Sequence, residues 1–285
     1  MFYAKHLNPQ KLEKLFKIVE DIVSDINFTI SKEGISFRGM DSSHCTLLDS
    51  FINSDEFEEY RLVNKDDNLI IGINMKAFCK LLSISENSDS LILEIKDTNL
   101  DKLNLLFDNK SRSTEYNLNL LTINSDDIDI AEINYNVIID IDLKRLNKVC
   151  QEINIIESEN AKFIIMGSSC NKVINIIGDG NIGSSKTTLK KDYVEKPKKT
   201  LVLKDKNNQI LNNPQPIINK PDYIVNDFNG DFNIEFSIKN IDKIIKLYSI
   251  VSRAILNIAK ESPLKISFKI GKKSYLDYYI APKID

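Results

Sequence analysis

Most of the chain is built from short runs in which apolar and polar residues alternate or β-branched residues dominate. In the first half this pattern predicts strands over 27–31, 35–38, 46–52, 69–74, 90–96, 102–108 and 116–121. In the second half it predicts strands over 135–141, 162–166, 172–177, 200–203, 232–238, 264–270 and 275–281. Four segments change to a helical period, 9–24, 75–83, 142–152 and 239–251. One pair of segments suggests an internal duplication: Ile71-Gly72-Ile73-Asn74 runs into the helix holding Lys80-Leu81-Leu82, and Phe236-Ser237-Ile238-Lys239 runs into the one holding Lys246-Leu247-Tyr248. The expected fold class is α+β, with two similar units at 1–120 and 135–285 and an acidic connector at 121–134. A Lys-, Asn- and Pro-rich stretch, 186–222, is longer than ordinary ordered loops and reads as an insertion with at most a short hairpin.

The four helical segments share one property. In the first, Leu12, Leu15, Phe16, Val19, Ile22 and Val23 form the apolar stripe, Lys14 and Lys17 lie opposite, and Lys11 lies at the edge. Lys76 and Lys80 oppose Met75, Phe78, Cys79 and Leu82 in the second. The third sets Lys144 and Lys148, flanked by Arg145, against Leu143, Leu146, Val149, Cys150 and Ile153. The fourth sets Lys239, Lys243 and Lys246 against Ile241, Ile244, Ile245 and Tyr248. Lysine is a good exposed helix residue, so a single such face is unremarkable. Its repetition on every helix suggests an electropositive track for a polyanion, contacting phosphates without reading sequence.

Composition narrows the field. With 42% hydrophobic and 28% charged residues in 285, the chain can bury a substantial core and is not disordered. Lys and Arg total 38 against 41 Asp and Glu, so a uniformly basic nucleic-acid binder is excluded, whereas separate basic and acidic faces are not. Cys45, Cys79, Cys150 and Cys170 offer neither zinc-ligand spacing nor a disulfide framework, and His6 and His44 are too few for an imidazole metal site. No cofactor or metal is expected. The sequence contains no long apolar run for a membrane helix and no signal-peptide pattern at its start, so cytosol or nucleus is the expected compartment.

Gly178-Asp179-Gly180-Asn181-Ile182-Gly183 has the G-x-G-x-x-G form of a dinucleotide-binding turn. The helix such a site requires does not follow, because Ser184-Ser185-Lys186-Thr187-Thr188 has no helical period, and a turn between strands accounts better for it. A nucleotide-binding enzyme using Gly178–Gly183 stands as the alternative function. His44, after Asp41-Ser42-Ser43, has no partner at a catalytic spacing and reads as a binding residue or part of a capped turn.

The segment Gly34-Ile35-Ser36-Phe37-Arg38-Gly39-Met40-Asp41-Ser42-Ser43-His44 resembles the proliferating cell nuclear antigen family of eukaryotic DNA sliding clamps. Tyr278-Tyr279-Ile280-Ala281-Pro282-Lys283-Ile284-Asp285 is similar to that family's C-terminus. Phe57-Glu58-Glu59-Tyr60-Arg61, Ile71–Met75 and Met1-Phe2-Tyr3-Ala4 fit at matching intervals. The resemblance implies a head-to-tail homotrimeric ring acting as a polymerase processivity factor and docking platform, with antiparallel sheets outside and four helices lining a hole that holds double-stranded DNA. The lysines named above would face that DNA. The subunit joint would pair an edge strand holding Thr114, Tyr116 and Leu118 with one holding Gly183, Thr187 and Leu189. DNA polymerase, clamp loader and other partner proteins would insert a peptide into a groove at Met40, His44, Leu47, Ile128, Ile130, Tyr135, Pro263, Tyr279, Ile280, Ala281 and Pro282. The implied location is the nucleus, or a viral replication site. A clamp relative acting outside a homotrimer is a further alternative. Ser169, with Lys172 nearby, falls where the family carries a modified lysine.

Overall fold

The structure, a computed structural model, describes residues 1–63, 67–124, 128–166, 173–189 and 231–283. The predicted strand at 200–203, most of the expected insertion, and Ser169, Cys170 and Lys172 lie outside the described residues.

The first half runs β1 (Phe2–His6), α1 (Pro9–Glu20), β2 (Asp25–Ile30), β3 (Gly34–Met40), β4 (Thr46–Asn53), β5 (Glu59–Leu62), β6 (Leu69–Asn74), α2 (Met75–Leu82), β7 (Ser90–Lys96), β8 (Asn99–Asp108) and β9 (Ser113–Asn119). The second runs β10 (Val137–Asp142), α3 (Leu143–Ile155), β11 (Asn160–Met166), β12 (Val173–Asp179), β13 (Ser184–Leu189), β14 (Phe232–Ser237), α4 (Ile238–Ile245), β15 (Arg253–Ile258), β16 (Leu264–Lys269) and β17 (Tyr275–Ile280). The fold is α+β, with every strand pairing antiparallel.

Local chemistry sets the helix ends. Asn8, Asn74 and Asp142 each cap the first turn by accepting from the backbone N–H three residues on, at Lys11, Ala77 and Arg145. α1 stops at Glu20, although the predicted segment extends to 24, and Ile22 and Val23 remain core residues beyond its end. α4 has no side-chain cap and gives way after Ile245 to a 3₁₀ turn over Lys246–Ser249, so Lys246 projects from that turn. Four strands are not predicted by periodicity. β5 and β13 are short, polar edge strands, β1 lies at the very start, and β15 follows the helical pattern without a Gly or Pro between them. Because β13 occupies Ser184–Leu189, the expected irregular stretch does not begin at 186.

Among the described residues the strands form three sheets, ordered β5-β1-β7-β8-β9, β10-β15-β16-β17-β4-β3-β2-β6 and β13-β12-β11-β14. The order shows the duplication. β6-β2-β3-β4 in the first half repeats as β14-β11-β12-β13 in the second, and β1-β7-β8-β9 repeats as β10-β15-β16-β17. The register agrees residue by residue: Phe107, Leu105 and Leu103 pair with Thr114, Tyr116 and Leu118, as Phe268, Ile266 and Leu264 pair with Leu276, Tyr278 and Ile280. The halves are fused where β17 pairs β4, Leu276 opposite Ser50, Tyr278 opposite Leu48 and Ile280 opposite Thr46. The strands that correspond to those two, β9 and β13, are sheet edges with no further strand beside them among the described residues.

Beneath the sheets lies a continuous apolar core that includes the inward face of each helix, with Phe16, Phe28, Phe37 and Phe78 clustered ring against ring in the first half. At the junction of the halves, Lys11 donates from Nζ to the Ile270 carbonyl at 3.0 Å and lies 3.5 Å from the Glu56 carboxylate. The β16–β17 turn leans on the same carboxylate through the Lys272 N–H. His6 is buried beside this cluster and accepts from the Asn8 N–H. Burial first, then the Lys11 ammonium, holds the His6 imidazolium below its ordinary 6.5. Folding therefore favours neutral His6, and this contribution is intact above pH 6.5 and is lost as pH falls below it. Between neutral and mildly acidic pH, His6→Asn, which keeps an acceptor for Asn8, is expected to lose less stability than the parent by urea denaturation. An identical pH slope would refute this role.

Candidate nucleic-acid interface and partner groove

The four helices of the described residues pack against the apolar core through one face and leave the other to solvent. α1 packs on α2, α3 packs on α4, and α1 also meets the 3₁₀ turn after α4, so the two pairs form one layer. Lys14, Lys76, Lys80, Lys144, Lys148 and Lys239 are exposed on that layer, Lys243 is half-buried, and among the described residues none has a carboxylate partner. Lys17 is engaged with Glu20 at 2.7 Å, and Lys246 with Asp21 at 2.6 Å, a bridge that ties α1 to the second half. Lys11, half-buried in the junction cluster, is bound to backbone and is not presented on the layer like the others. Exposed ammonium groups without carboxylate partners can contact phosphates at no cost in broken ion pairs, so Lys14, Lys76, Lys80, Lys144, Lys148 and Lys239 are the stronger candidates.

The opposite, outer face of the eight-stranded sheet carries a row of facing side chains. Met40 on β3 pairs with Leu47 on β4, Leu47 with Tyr279 on β17, and Tyr279 with Lys265 on β16. The Lys265 ammonium lies 5.4 Å from the Tyr279 ring centre and 2.8 Å from Asp277. Tyr135 is half-buried near this row, and burial first pushes its phenol up to about 12 while burial also raises Tyr279. Both phenols are therefore neutral donors at physiological pH. Ile280 points the other way and is fully buried in the core, as strand alternation requires, so its contribution is to packing beneath the row. Ala281 is exposed, Pro263, Pro282 and Ile130 are half-buried, and the Ala281 N–H donates to the Cys45 carbonyl at 2.8 Å.

Beside the row is a cavity of 660 Å³ lined by Ile26, Asn27, Arg38, Met40, His44, Ile123, Ile128 and Tyr275, among others. Its outer wall is the connector, and two side chains of the sheet hold it there. Arg38 donates from Nη1 to the Ile128 carbonyl at 2.6 Å while its Nε bonds Asp49 at 2.9 Å, and Asn27 donates to the Ile123 carbonyl at 3.1 Å. The connector leaves the sheet at Leu121, whose N–H donates to the Gly72 carbonyl at 2.8 Å. A Cβ on Gly72 would strike the Leu121 carbonyl, which explains the glycine in β6. His44 lies at the groove's rim with φ 55°, in a turn organised by buried Asp41, which accepts from the Cys45 and Thr46 N–H groups at 2.9 and 2.7 Å.

Thr114, Tyr116 and Leu118 lie on edge strand β9, and Thr187 and Leu189 on edge strand β13, with exposed Gly183 just before it. Leu118 and Leu189 are buried within the chain, so their side chains belong to the core while their backbones form the edges. The glycine-rich turn joins β12 to β13 without a helix. A Cβ on Gly180 would overlap the backbone of residues 156–158, and one on Gly178 would stand 2.9 Å from Ile153 Cγ2. Those glycines permit close packing against the end of α3, and the helix N-terminus of a dinucleotide site is absent from this turn.

The lysine faces are legible in the sequence because helical period and charge are local. Arg38, Asn27 and Gly72 are not legible there as anchors of the connector, since each acts on a backbone group some 50 to 96 residues away. Only the isolated Gly in an apolar strand signals close approach.

Residues 1–130 match the family described as Proliferating cell nuclear antigen, N-terminal domain. Over its full length the chain is 24% identical to the whole of the proliferating cell nuclear antigen of Dictyostelium discoideum. It is 27% identical to that of Chaetomium thermophilum, over 96% of this chain and 94% of that protein.

Removing the Arg38 anchor is expected to free the connector while leaving the sheet intact. In Arg38→Ala, amide exchange over 121–133 should quicken while β2, β3 and β4 stay protected. Gly72→Ala should add a stability loss of about 2 kcal/mol. Unchanged connector exchange in Arg38→Ala would refute the anchoring role.

Proposed function

The chain belongs to the proliferating cell nuclear antigen family of DNA sliding clamps, and from that premise we propose that three copies close into a ring around duplex DNA. Each subunit contributes two domains, 1–120 and 135–285, joined by the connector 121–134. The ring serves replicative polymerase, clamp loader and repair proteins in the nucleus as a docking platform and not as a catalyst. One observation carries this reading. The chain already contains one β17–β4 joint, and among the described residues the two edges that correspond to that joint, β9 and β13, have no partner strand. Pairing β9 of one copy with β13 of the next repeats a contact the fold already makes, and head-to-tail repetition that closes leaves neither of these two edges unpaired in any subunit.

The duplication fixes the register. Where Leu276 faces Ser50 and Tyr278 faces Leu48 within the chain, Thr114 would face Thr187 and Tyr116 would face Ser185 between chains. Between these, the positions of Asp277 and Asp49 become Glu115 and Lys186. In the internal joint the two carboxylates are neutralised from the side, by Lys265 and Arg38. At the external joint opposite charges face each other directly, a favourable cross-strand pair.

Inside the ring, the free lysines of the helix layer would touch phosphates loosely, so the ring is retained by topology and its charge contacts are weak, sequence-independent and mobile. On the outer surface, the Met40–Leu47–Tyr279 row and the cavity beneath Ile128 form a shallow apolar receptor for a partner's extended peptide with an aromatic plug. Of the residues expected there, Ile280 supports that surface from below.

Two experiments test the proposal. Glu115→Lys and Lys186→Glu should each lower the sedimenting mass of the assembly, and the double variant should restore it. Failure of the double variant to assemble, with singles unaffected, would refute the register. Separately, Lys80→Glu with Lys148→Glu should leave assembly intact, reduce polymerase stimulation and make the salt dependence of DNA binding shallower by about 1 logarithmic unit per lysine. Unchanged stimulation and salt slope would rule out the helix layer as the DNA surface.

A further inference from the structure

The duplication places a second groove on the second half. β11 and β12 correspond to β2 and β3, since Phe163 pairs Ile176 as Phe28 pairs Phe37, and Asn160 pairs Ser237 as Asp25 pairs Asn74. The outward positions held by Asn27, Thr29, Arg38 and Met40 in the first groove are therefore held by Lys162, Ile164, Ile177 and Asp179 in the second. The cavity over this face measures 750 Å³, comparable to the 660 Å³ of the first. The chain's path beside it repeats too. After β17 the Lys283 N–H donates to the Glu235 carbonyl at 2.9 Å, as Leu121 after β9 donates to Gly72 at 2.8 Å, and Glu235 and Gly72 hold the same place two residues before their helix caps.

The two grooves differ in chemistry. The first has an apolar connector wall, and its Arg38 and Asp49 neutralise each other. In the second, Glu157, Glu159, Asp179 and Glu235 line the cavity against only Lys162 and Lys283. Lys283 lies 3.9 Å from Glu235, and Glu159 and Asp179 have no ion-pair partner among the described residues. Ile164 and Ile177 lie diagonally across the β11–β12 pair on the floor, Ile177 opposite Lys162 with Asp179 two residues on, and Lys162 in turn opposite Glu235 on β14. An anionic rim around an aliphatic floor fits lysine or arginine side chains, whose stems lie on apolar surface while their heads reach acids.

We propose that this face is a second docking groove, taking an extended lysine-rich peptide segment of a partner protein along β11 and β12. The proposal depends only on the single chain, so it survives or fails independently of ring closure and of the aromatic-peptide groove. The test titrates a fluorescein-labelled peptide of alternating lysine and threonine into the full chain, followed by anisotropy and by amide exchange. Saturable binding with added protection in β11 and β12 is expected. Glu159→Gln with Asp179→Asn, both exposed and isosteric, should weaken it about tenfold at unchanged melting temperature. Asp101→Asn with Asp108→Asn, acids elsewhere on the surface, should leave it unchanged, as should Ile128→Ala in the first groove. Absence of saturable binding, an equal loss in the Asp101/Asp108 control, or abolition by Ile128→Ala would overturn the proposal.

Discussion

The hydrogen-bonded pairing of β17 with β4 is the contact on which the rest of the molecule depends. It joins four strands of each half into one eight-stranded sheet, so the halves share a single wall. That wall places the C-terminal strand beside the first half's outer face, bringing Tyr279 next to Leu47 and Met40. Its turn presses Lys272 on Glu56 and gives Lys11 the Ile270 carbonyl, which locks the junction on the helix side as well. Antiparallel strands can expose one face to water and bury the other, so a single wall can carry a partner surface outside and the helix layer inside.

A net charge of −3 is compatible with DNA binding because the charges are sorted by position. Helical periodicity sends lysines away from the core on the helix layer, whereas on the outer face of the eight-stranded sheet Asp49 and Asp277 are paired with Arg38 and Lys265. Acids that do reach the helix layer are themselves used structurally. Asp21 binds Lys246 across the junction, and Asp242 accepts from Asn154 between α3 and α4. What remains facing solvent on the helix layer is mostly unpaired ammonium, a surface that attracts phosphate without reading bases.

Local signals made much of this legible in the sequence. The β7 limits follow from clean alternation over 90–96, and the starts of α1 and α2 at 9 and 75 follow from the change to a helical period. The duplication showed in the matching strand-to-helix passages at β6–α2 and β14–α4. Long-range partnership was not legible. Nothing in 46–53 announces pairing with 275–280, and the free edge β13 is too polar to stand out as a strand. Arg38 has no local sign that it holds a carbonyl 90 residues on, and Ile280 reads as groove or core until strand alternation assigns its direction.

Ring closure requires that the β9 and β13 edges satisfy each other between copies and that the chain of contacts returns to its start. Light scattering of the unmodified protein over a range of dilution measures this directly. A closed three-subunit ring has a constant mass three times the 32.6 kDa of one chain. A mass of one chain at micromolar concentration, or a mass that climbs without limit as concentration rises, would contradict it.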